Sequence, residues 1–305
     1  MELNKIIIAG GTGALGKLLT KEFLNQGAKV IVLTRNPKES GNPNLKYVYW
    51  DAVNNGDWSQ ELENSNVIIN LTGKSVNCRY TAKNKREIIE SRTLSTLAIG
   101  KAVDKLNNPP KVWINAGSAA IFGNSGPDFK TEQCLYGDGF SSDVCKKWEN
   151  AFFEIETPNT RKIFLRIGMV LQVGEGVIKP FMNMAKMGFG GKIGNGEQFI
   201  TWIHEKDFMN IINWSIQHES MNGILHCASP EPVTNKEFMI ALKKACHVPF
   251  GLPTPALAVR LGAMVIGTEP ELVLSGRRVI STVLDSEGFK FKYPQINHAL
   301  QDLIA

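Results

Sequence analysis

The sequence has few cysteines, and they are not arranged in pairs. Cys78, Cys134, Cys145, Cys227 and Cys246 form no CxxC. An odd, scattered set argues against a disulfide framework or a zinc site and suits a reducing compartment. The five histidines show no HExxH or comparable spacing, so no metal is expected. No apolar run approaches the ~20 residues of a membrane span. The best candidate, LAVRLGAMVIG, is short and carries Arg260. The chain opens MELNK and enters a strand at once, without a basic-then-apolar leader, so a soluble cytoplasmic protein is expected. An excess of charge is also missing. Lys and Arg number 34 against 29 Asp and Glu, and a net +5 is too mild to argue for nucleic acid, though it suits an anionic ligand. Lys83, Lys85 and Arg86 alternate with polar residues on a predicted helix and read as a solvated face. There is no low-complexity tract or fixed-period repeat. With 43% apolar and 21% charged residues over 305 positions, the chain suits one large α/β unit and a smaller lobe.

What is present is concentrated near the start. KIIIAGGTGALGKLLTKEFLNQGAKVIVLTRNP has the order strand, glycine turn, helix, strand. Ile6 to Ile8 are continuously apolar, as in a parallel strand buried on both faces. Gly10, Gly13 and Gly16 follow at three-residue spacing, with Thr12 and Leu15 among them. One glycine makes the tight turn, the next lets backbone approach a pyrophosphate, and the third lets helix pack on strand. The helix that begins there points its free amides at the phosphates. At the end of the second strand, where an acid would hold the ribose hydroxyls of NAD, the sequence reads Thr34-Arg35-Asn36. A guanidinium and a hydroxyl match a 2′-phosphate, so NADP(H) is the expected cofactor. Asp51 ends a third strand, in reach of an adenine edge. NVIINLTG ends in Leu71, Thr72 and Gly73, whose backbone can pass close to a ribose-phosphate. KVWINAGS and KIFLRIGMVL read as fifth and sixth strands, giving a Rossmann-like, doubly wound parallel α/β sheet with its ligands outside the carboxyl ends.

From these phrases onward the chain resembles the extended short-chain dehydrogenase/reductases. More narrowly, it is similar to their atypical, epimerase-labelled family with a C-terminal module of unassigned role. GGTGALG, VIINLTG, SRTLST, DVCKKWENAF, LRIGMVL, GGKIGNGEQFITWIH, PEPVTNKEF and GFKFKYP carry the likeness over the whole length. The resemblance implies a NADP-binding Rossmann domain, residues 1–170 and 203–228, and a smaller α+β substrate lobe, residues 171–202 and 229–305. It implies that Thr34 and Arg35 grip the 2′-phosphate and that Leu71 and Thr72 line the cofactor path. Glu87 and Arg92 would face that path, and Met169 would close over the nicotinamide end. Glu87 by itself reads as a solvated helix residue.

The superfamily's usual Tyr-x-x-x-Lys is missing. Four residues after Tyr47, Tyr49, Tyr80, Tyr136 and Tyr293 stand Asp51, Val53, Asn84, Phe140 and Asn297. In the helix predicted at SSDVCKKWENAF, capped by Ser142 or Asp143, the pair's positions go to Cys145 and Glu149. A carboxylate beside a thiol raises its pKa, the opposite of what a lysine does for a tyrosine. Lys146 and Lys147 point about 100° and 200° away. Ser118, Cys145 and Glu149 are the candidate catalytic groups. Glu149 could accept bonds from the nicotinamide ribose or act as an acid; alternatively Cys145 is a small buried residue and Glu149 a structural acid.

Seven glycines between Gly174 and Gly196 flank IKPFMNMAKMGF, which reads as an apolar lid or a packed crossover. Ile200 stands where nucleotide-sugar members place an arginine. His204 and Asp207 read as a packed histidine and a helix-capping aspartate, and Thr234 with Glu237 as a capping box. One of Arg277 and Arg278 is available to an anionic substrate.

Three functions follow. The first is an NADP(H)-dependent, epimerase-like oxidoreductase on a small anionic or partly apolar molecule, needing neither nucleic acid nor membrane. The second is an NADPH-binding sensor or scaffold with little catalysis, since some relatives carry a cell-division label. The third is a nucleotide-sugar epimerase or dehydratase.

Overall fold

The computed structural model describes residues 3–304. Seven strands form one parallel sheet: β1 (Lys5–Ala9), β2 (Lys29–Thr34), β3 (Leu45–Tyr49), β4 (Val67–Asn70), β5 (Val112–Ser118), β7 (Arg161–Ile167) and β11 (Gly223–Cys227). Their order is β11-β7-β5-β4-β1-β2-β3. The six remaining strands pair outside this sheet. β6 (Phe129–Lys130) lies beside β13 (Arg278–Val279), β8 (Met169–Leu171) beside β10 (Trp202–His204), and β9 (Phe199–Ile200) beside β12 (Val233–Thr234). The central strands are continuous apolar runs because helices cover both faces of the sheet. Ile6, Ile7 and Ile8 of β1 have no exposed surface, and neither do Val30 to Leu33 of β2.

The longer crossover helices are α1 (Ala14–Asn25), α2 (Ala82–Val103), α3 (Phe140–Phe153) and α5 (Glu205–Gln217). The other helices are α4 (Ile178–Met184), α6 (Asn235–Ala245), α7 (Ala256–Ile266), α8 (Glu271–Leu274), α9 (Thr282–Ser286) and α10 (Ile296–Ile304). A second apolar core joins Ile178, Trp202, Phe238, Leu242, Leu300 and Leu303. Leu284, Phe289 and Phe291 pack instead against the core of the large sheet.

Several local expectations change in the structure. The predicted sixth strand is two, β7 and β8, divided at Gly168. A Cβ there would lie 2.9 Å from the Thr201 carbonyl oxygen, so only glycine lets the chain pass Thr201 this closely. Neither Ser142 nor Asp143 caps α3, which starts earlier, after Gly139 at φ +96°. The Ser142 hydroxyl bonds to the carbonyls of Ile121 and Gly137. His204 itself caps α5, its Nδ1 accepting the Lys206 amide at 3.0 Å. The Asp207 carboxylate holds the amides of Lys292 and Tyr293. The Thr234–Glu237 capping box forms as its spacing predicts.

Candidate active site

All seven strands of the sheet run in one direction, so the turns that follow them gather on one edge. Strand order reverses about β1, which has β2 on one side and β4 on the other. That switch point leaves a crevice at the strands' carboxyl ends. Gly10 occupies it at φ +74°, its amide donating to the Leu33 carbonyl at 3.0 Å. A Cβ at Gly10 would lie 3.1 Å from the Thr72 amide, so the first glycine serves both the turn and the crossing of two backbones. At Gly16 a Cβ would fall 2.4 Å from the Gly11 Cα, so the third glycine seats α1 on the turn. A Cβ at Gly13 would meet only the Gly10 carbonyl oxygen, at 3.8 Å, and Gly13 precedes α1, whose first turn has no capping side chain and no acid. Thr12 is exposed on the same turn, and Leu15 is half-buried behind it.

Leu71 donates its amide to Ala9, fixing the floor of the crevice. The Thr72 amide is held by Asn70 Oδ1 at 3.0 Å, and Asn70 is braced by Asn115 at 2.7 Å. The Thr72 hydroxyl is buried without a hydrogen-bond partner. An orphaned hydroxyl on the residue that crosses the Gly10 turn fits a phosphate-bearing ligand, because a buried polar group without a partner is costly. At the far end of β2, Thr34 is nearly buried and accepts the Asn36 amide at 3.3 Å. Arg35 is exposed and makes no ion pair among the described residues.

Two predicted contacts are engaged elsewhere. Asp51 accepts the amides of Val53 and Asn54 and the Asn54 side chain, and these bonds hold its pKa below the ordinary carboxylate value. It shapes its own turn instead of presenting a free carboxylate. Glu87 is bonded and ion-paired to Lys74, which holds its pKa down, and Lys74 also reaches Asn84 at 2.7 Å.

Beyond the crevice lies a cavity of about 530 Å³. Ser118 at the end of β5, Arg92 from α2, Met169 from β8, Val177 and Phe181 from the glycine-rich segment, and Arg277 before β13 all line it. Phe181 and Val177 make that segment part of the wall, while Ile178 and Ala185 anchor it in the second core. Lys17 and Glu175 tie it to α1 at 3.1 Å. The Ser118 hydroxyl accepts the Ala120 amide at 3.1 Å, which leaves its own proton free for the cavity.

The face of α3 toward this space carries Ser141, Val144, Cys145 and Trp148. Cys145 is buried, and burial pushes its thiol up to about 12, against the pull of Arg92 and Arg277. Glu149 adds only a smaller upward push, so burial rather than charge pairing keeps this sulfur protonated. Glu149 points the other way. Arg166 of β7 grips it with Nε to Oε2 at 2.9 Å and Nη2 to Oε1 at 2.8 Å, and the Tyr136 hydroxyl donates to Oε1 at 2.6 Å. Glu149 is therefore held in the interior by Arg166 and Tyr136 and is not among the residues that line the cavity, the arrangement expected of a structural acid. Arg166, Tyr136 and the Asn70–Asn115 pair had no readable sequence signal, since their roles depend on partners in distant strands. Among the described residues no cluster could hold a metal ion, and no helix is long and apolar enough to cross a membrane.

Comparison with known proteins supplies the family. Residues 6–142 match the NAD dependent epimerase/dehydratase family, and residues 254–303 match a domain of unknown function (DUF1731). Epimerase family protein YfhF of Bacillus subtilis is 34% identical over 304 residues, covering 98% of both chains. The chain belongs to the epimerase family. A Staphylococcus saprophyticus member, SSP1921, is 33% identical over 99% of this chain and all of its own. Human epimerase family protein SDR39U1, whose structure was solved with NADPH, superposes with a TM-score of 0.86 at 27% identity, covering 98% of this chain and 99% of that one. The nucleoside-diphosphate sugar epimerase of Corynebacterium glutamicum gives 0.79 at 25% identity, over all of this chain but 58% of that one. The family is NAD(P)-dependent, and the chain has its Rossmann-like fold.

Proposed function

We propose that this protein is an NADP(H)-dependent oxidoreductase acting on a carbonyl or alcohol group of a small molecule. The observation that carries this reading is the cavity next to the glycine crevice, with the Ser118 hydroxyl proton free on its wall. When bound, the cofactor supplies or accepts a hydride. Gly10, Gly13 and Gly16, with Leu71, Thr72 and Gly73, would hold its diphosphate and ribose. Arg35, with Thr34 behind it, would hold the 2′-phosphate. The NADPH in the human relative's structure supports that choice over NAD. Ser118 would donate to the substrate oxygen, and Met169 and Phe181 would exclude water above it. Ile200 in the wall offers nothing to a sugar diphosphate.

The test is NADPH oxidation across a panel of aldehydes and ketones, with Ser118→Ala losing about tenfold or more of any rate found. No oxidation of NADPH by any compound would contradict the reading.

One observation favours a second reading, a cofactor-binding sensor or scaffold. The cavity face of α3 carries a protonated thiol, and Glu149 is locked away behind it. A protein that binds NADPH tightly, shows no turnover, and changes its proteolysis pattern on binding would answer to that description.

A further inference from the structure

Two guanidinium groups line the cavity without forming an ion pair among the described residues. Arg92 spends Nη1 on the carbonyls of Lys74 and Ile88, at 3.0 and 2.9 Å. Its plane lies against Gly73, and its Cζ is 5.1 Å from the Trp148 ring centre. Nε and Nη2 make no hydrogen bond among the described residues. Arg277 is anchored through its backbone, its amide donating to Phe199 and its carbonyl accepting from Thr201 Oγ1 at 2.8 Å. Its side chain makes no hydrogen bond or ion pair among the described residues. Burial lowers the pKa of both arginines, and both act on the same group, the Cys145 thiol. Both line the same cavity as Cys145, Arg92 from α2 and Arg277 from the segment before β13.

Two other arginines are compensated, whereas the Nε of Arg278 is buried without a hydrogen-bond partner. Arg166 has Glu149, and Arg161 has the carbonyls of Ser215, Ile216 and Met221. Arg278, next to Arg277, turns away and stacks on Phe129 at 3.8 Å and Phe199 at 4.7 Å. Glu271 is on the cavity wall, but it accepts the Ser141 hydroxyl at 2.6 Å and forms no ion pair with Arg277. Two unpaired, partly desolvated guanidinium groups facing one space have unused forked donors that match a carboxylate or a phosphate. The rest of the wall is mixed: Ile88, Val144, Ile167, Val273 and Phe181 are apolar, and Tyr80, Asn124, Asp138, Thr201 and Asn235 are polar.

We infer that Arg92 and Arg277 form an anion subsite, and that the molecule taken beside Ser118 has a partly apolar body ending in a carboxylate or phosphate. This deepens the oxidoreductase reading, on which the position of the reacting carbonyl rests, but the anion subsite can be measured without turnover.

The experiment uses the full chain, with and without NADPH, and three probes of similar size. Phenylpyruvate and phenyl phosphate are the anionic probes, and phenylacetone is the uncharged one. Binding is read by ligand-observed NMR and by displacement with inorganic phosphate. The expected result is that at least one anionic probe binds ten or more times as tightly as phenylacetone and is displaced by phosphate. Which of the two binds better identifies carboxylate or phosphate. Arg277→Met should remove the preference and Arg277→Lys restore part of it, while Arg278→Ala leaves it intact. Arg92→Met should act like Arg277→Met, and the circular-dichroism melt of each variant shows that it folds. Equal binding of all three probes, or a preference untouched by Arg277→Met in folded protein, overturns the inference. Anion binding in a protein that oxidises no NADPH would refute the oxidoreductase reading and leave the subsite standing.

Discussion

Arg166 and Glu149 face each other from β7 and α3 through two hydrogen bonds of 2.9 and 2.8 Å, and both side chains are sealed from solvent. Breaking such a pair leaves one buried charge uncompensated, at a cost of about 3–5 kcal/mol. Arg166→Met and Glu149→Gln should each lower stability to urea by an amount of that order. The double variant Glu149→Leu/Arg166→Met should recover much of the loss, because an apolar pair avoids desolvating two ions. NADPH affinity, measured in the folded variants, should change little. A stable Glu149→Gln protein with strongly weakened NADPH binding would return Glu149 to the cofactor.

Cys145 is expected to be inert. Its thiol is buried and shifted to about 12, so at neutral pH it is almost wholly protonated, and the thiolate is the reactive form. Iodoacetamide should label the half-exposed Cys78 and Cys134 well before Cys145, as read by peptide mass spectrometry. Any turnover should survive Cys145→Ala within about tenfold, far from the roughly 10²–10⁴ loss expected of a general acid or base. Rapid labelling of Cys145 would contradict this account.

His226 sets a pH dependence. Its Nδ1 is 2.8 Å from the Ile280 carbonyl, so that nitrogen carries the proton, and Nε2 accepts from Arg166 Nη1 at 3.3 Å. Burial disfavours a second proton on Nε2, and the Arg166 charge adds a smaller opposition. Glu132 and Glu149 pull the other way, but the net shift is below the ordinary value of 6.5. The unfolded chain therefore binds more protons in that range, and stability rises with pH through it. Tm should be level above about pH 7 and fall as pH drops below about 6.5. Glu132 adds a later loss. Burial alone would raise its pKa, but His226, the Ser281 hydroxyl and the His226 amide hold it below 4.5, so its contribution fades only in more acid solution. His226→Gln should flatten the upper part of the curve. A wild-type Tm constant from pH 7.5 to pH 5 would contradict the prediction.

The sequence was most legible where backbone geometry alone dictates residue type. Gly10 and Gly16 stand where a Cβ would strike Thr72 or Gly11, and the isoleucines of β1 are buried on both faces. Local signals such as the Thr234–Glu237 box were equally readable. Side-chain roles at the site were not, because each depends on a partner brought from elsewhere. Glu149 looked available until Arg166, 17 residues on, claimed it across β7. Arg277 and Arg278 are adjacent in sequence, yet one faces the cavity and the other stacks on Phe129. Asp51 sits at the predicted strand end, but its carboxylate is taken by the two residues that close its own turn. Periodicity gives the face of an element and says nothing of what packs against it.

The central claim is that the glycine crevice holds a phosphorylated dinucleotide and that Arg35 selects it. A charge-assisted hydrogen bond contributes roughly 1.5–3 kcal/mol, or about 10- to 100-fold in affinity. Calorimetric titration of the purified protein with NADPH and NADH, repeated on Arg35→Ala, tests it most directly. The account predicts one saturable site that prefers NADPH by about tenfold or more, with the preference lost in Arg35→Ala while NADH binding stays the same. No NADPH binding, or a preference that survives the loss of Arg35, would contradict it.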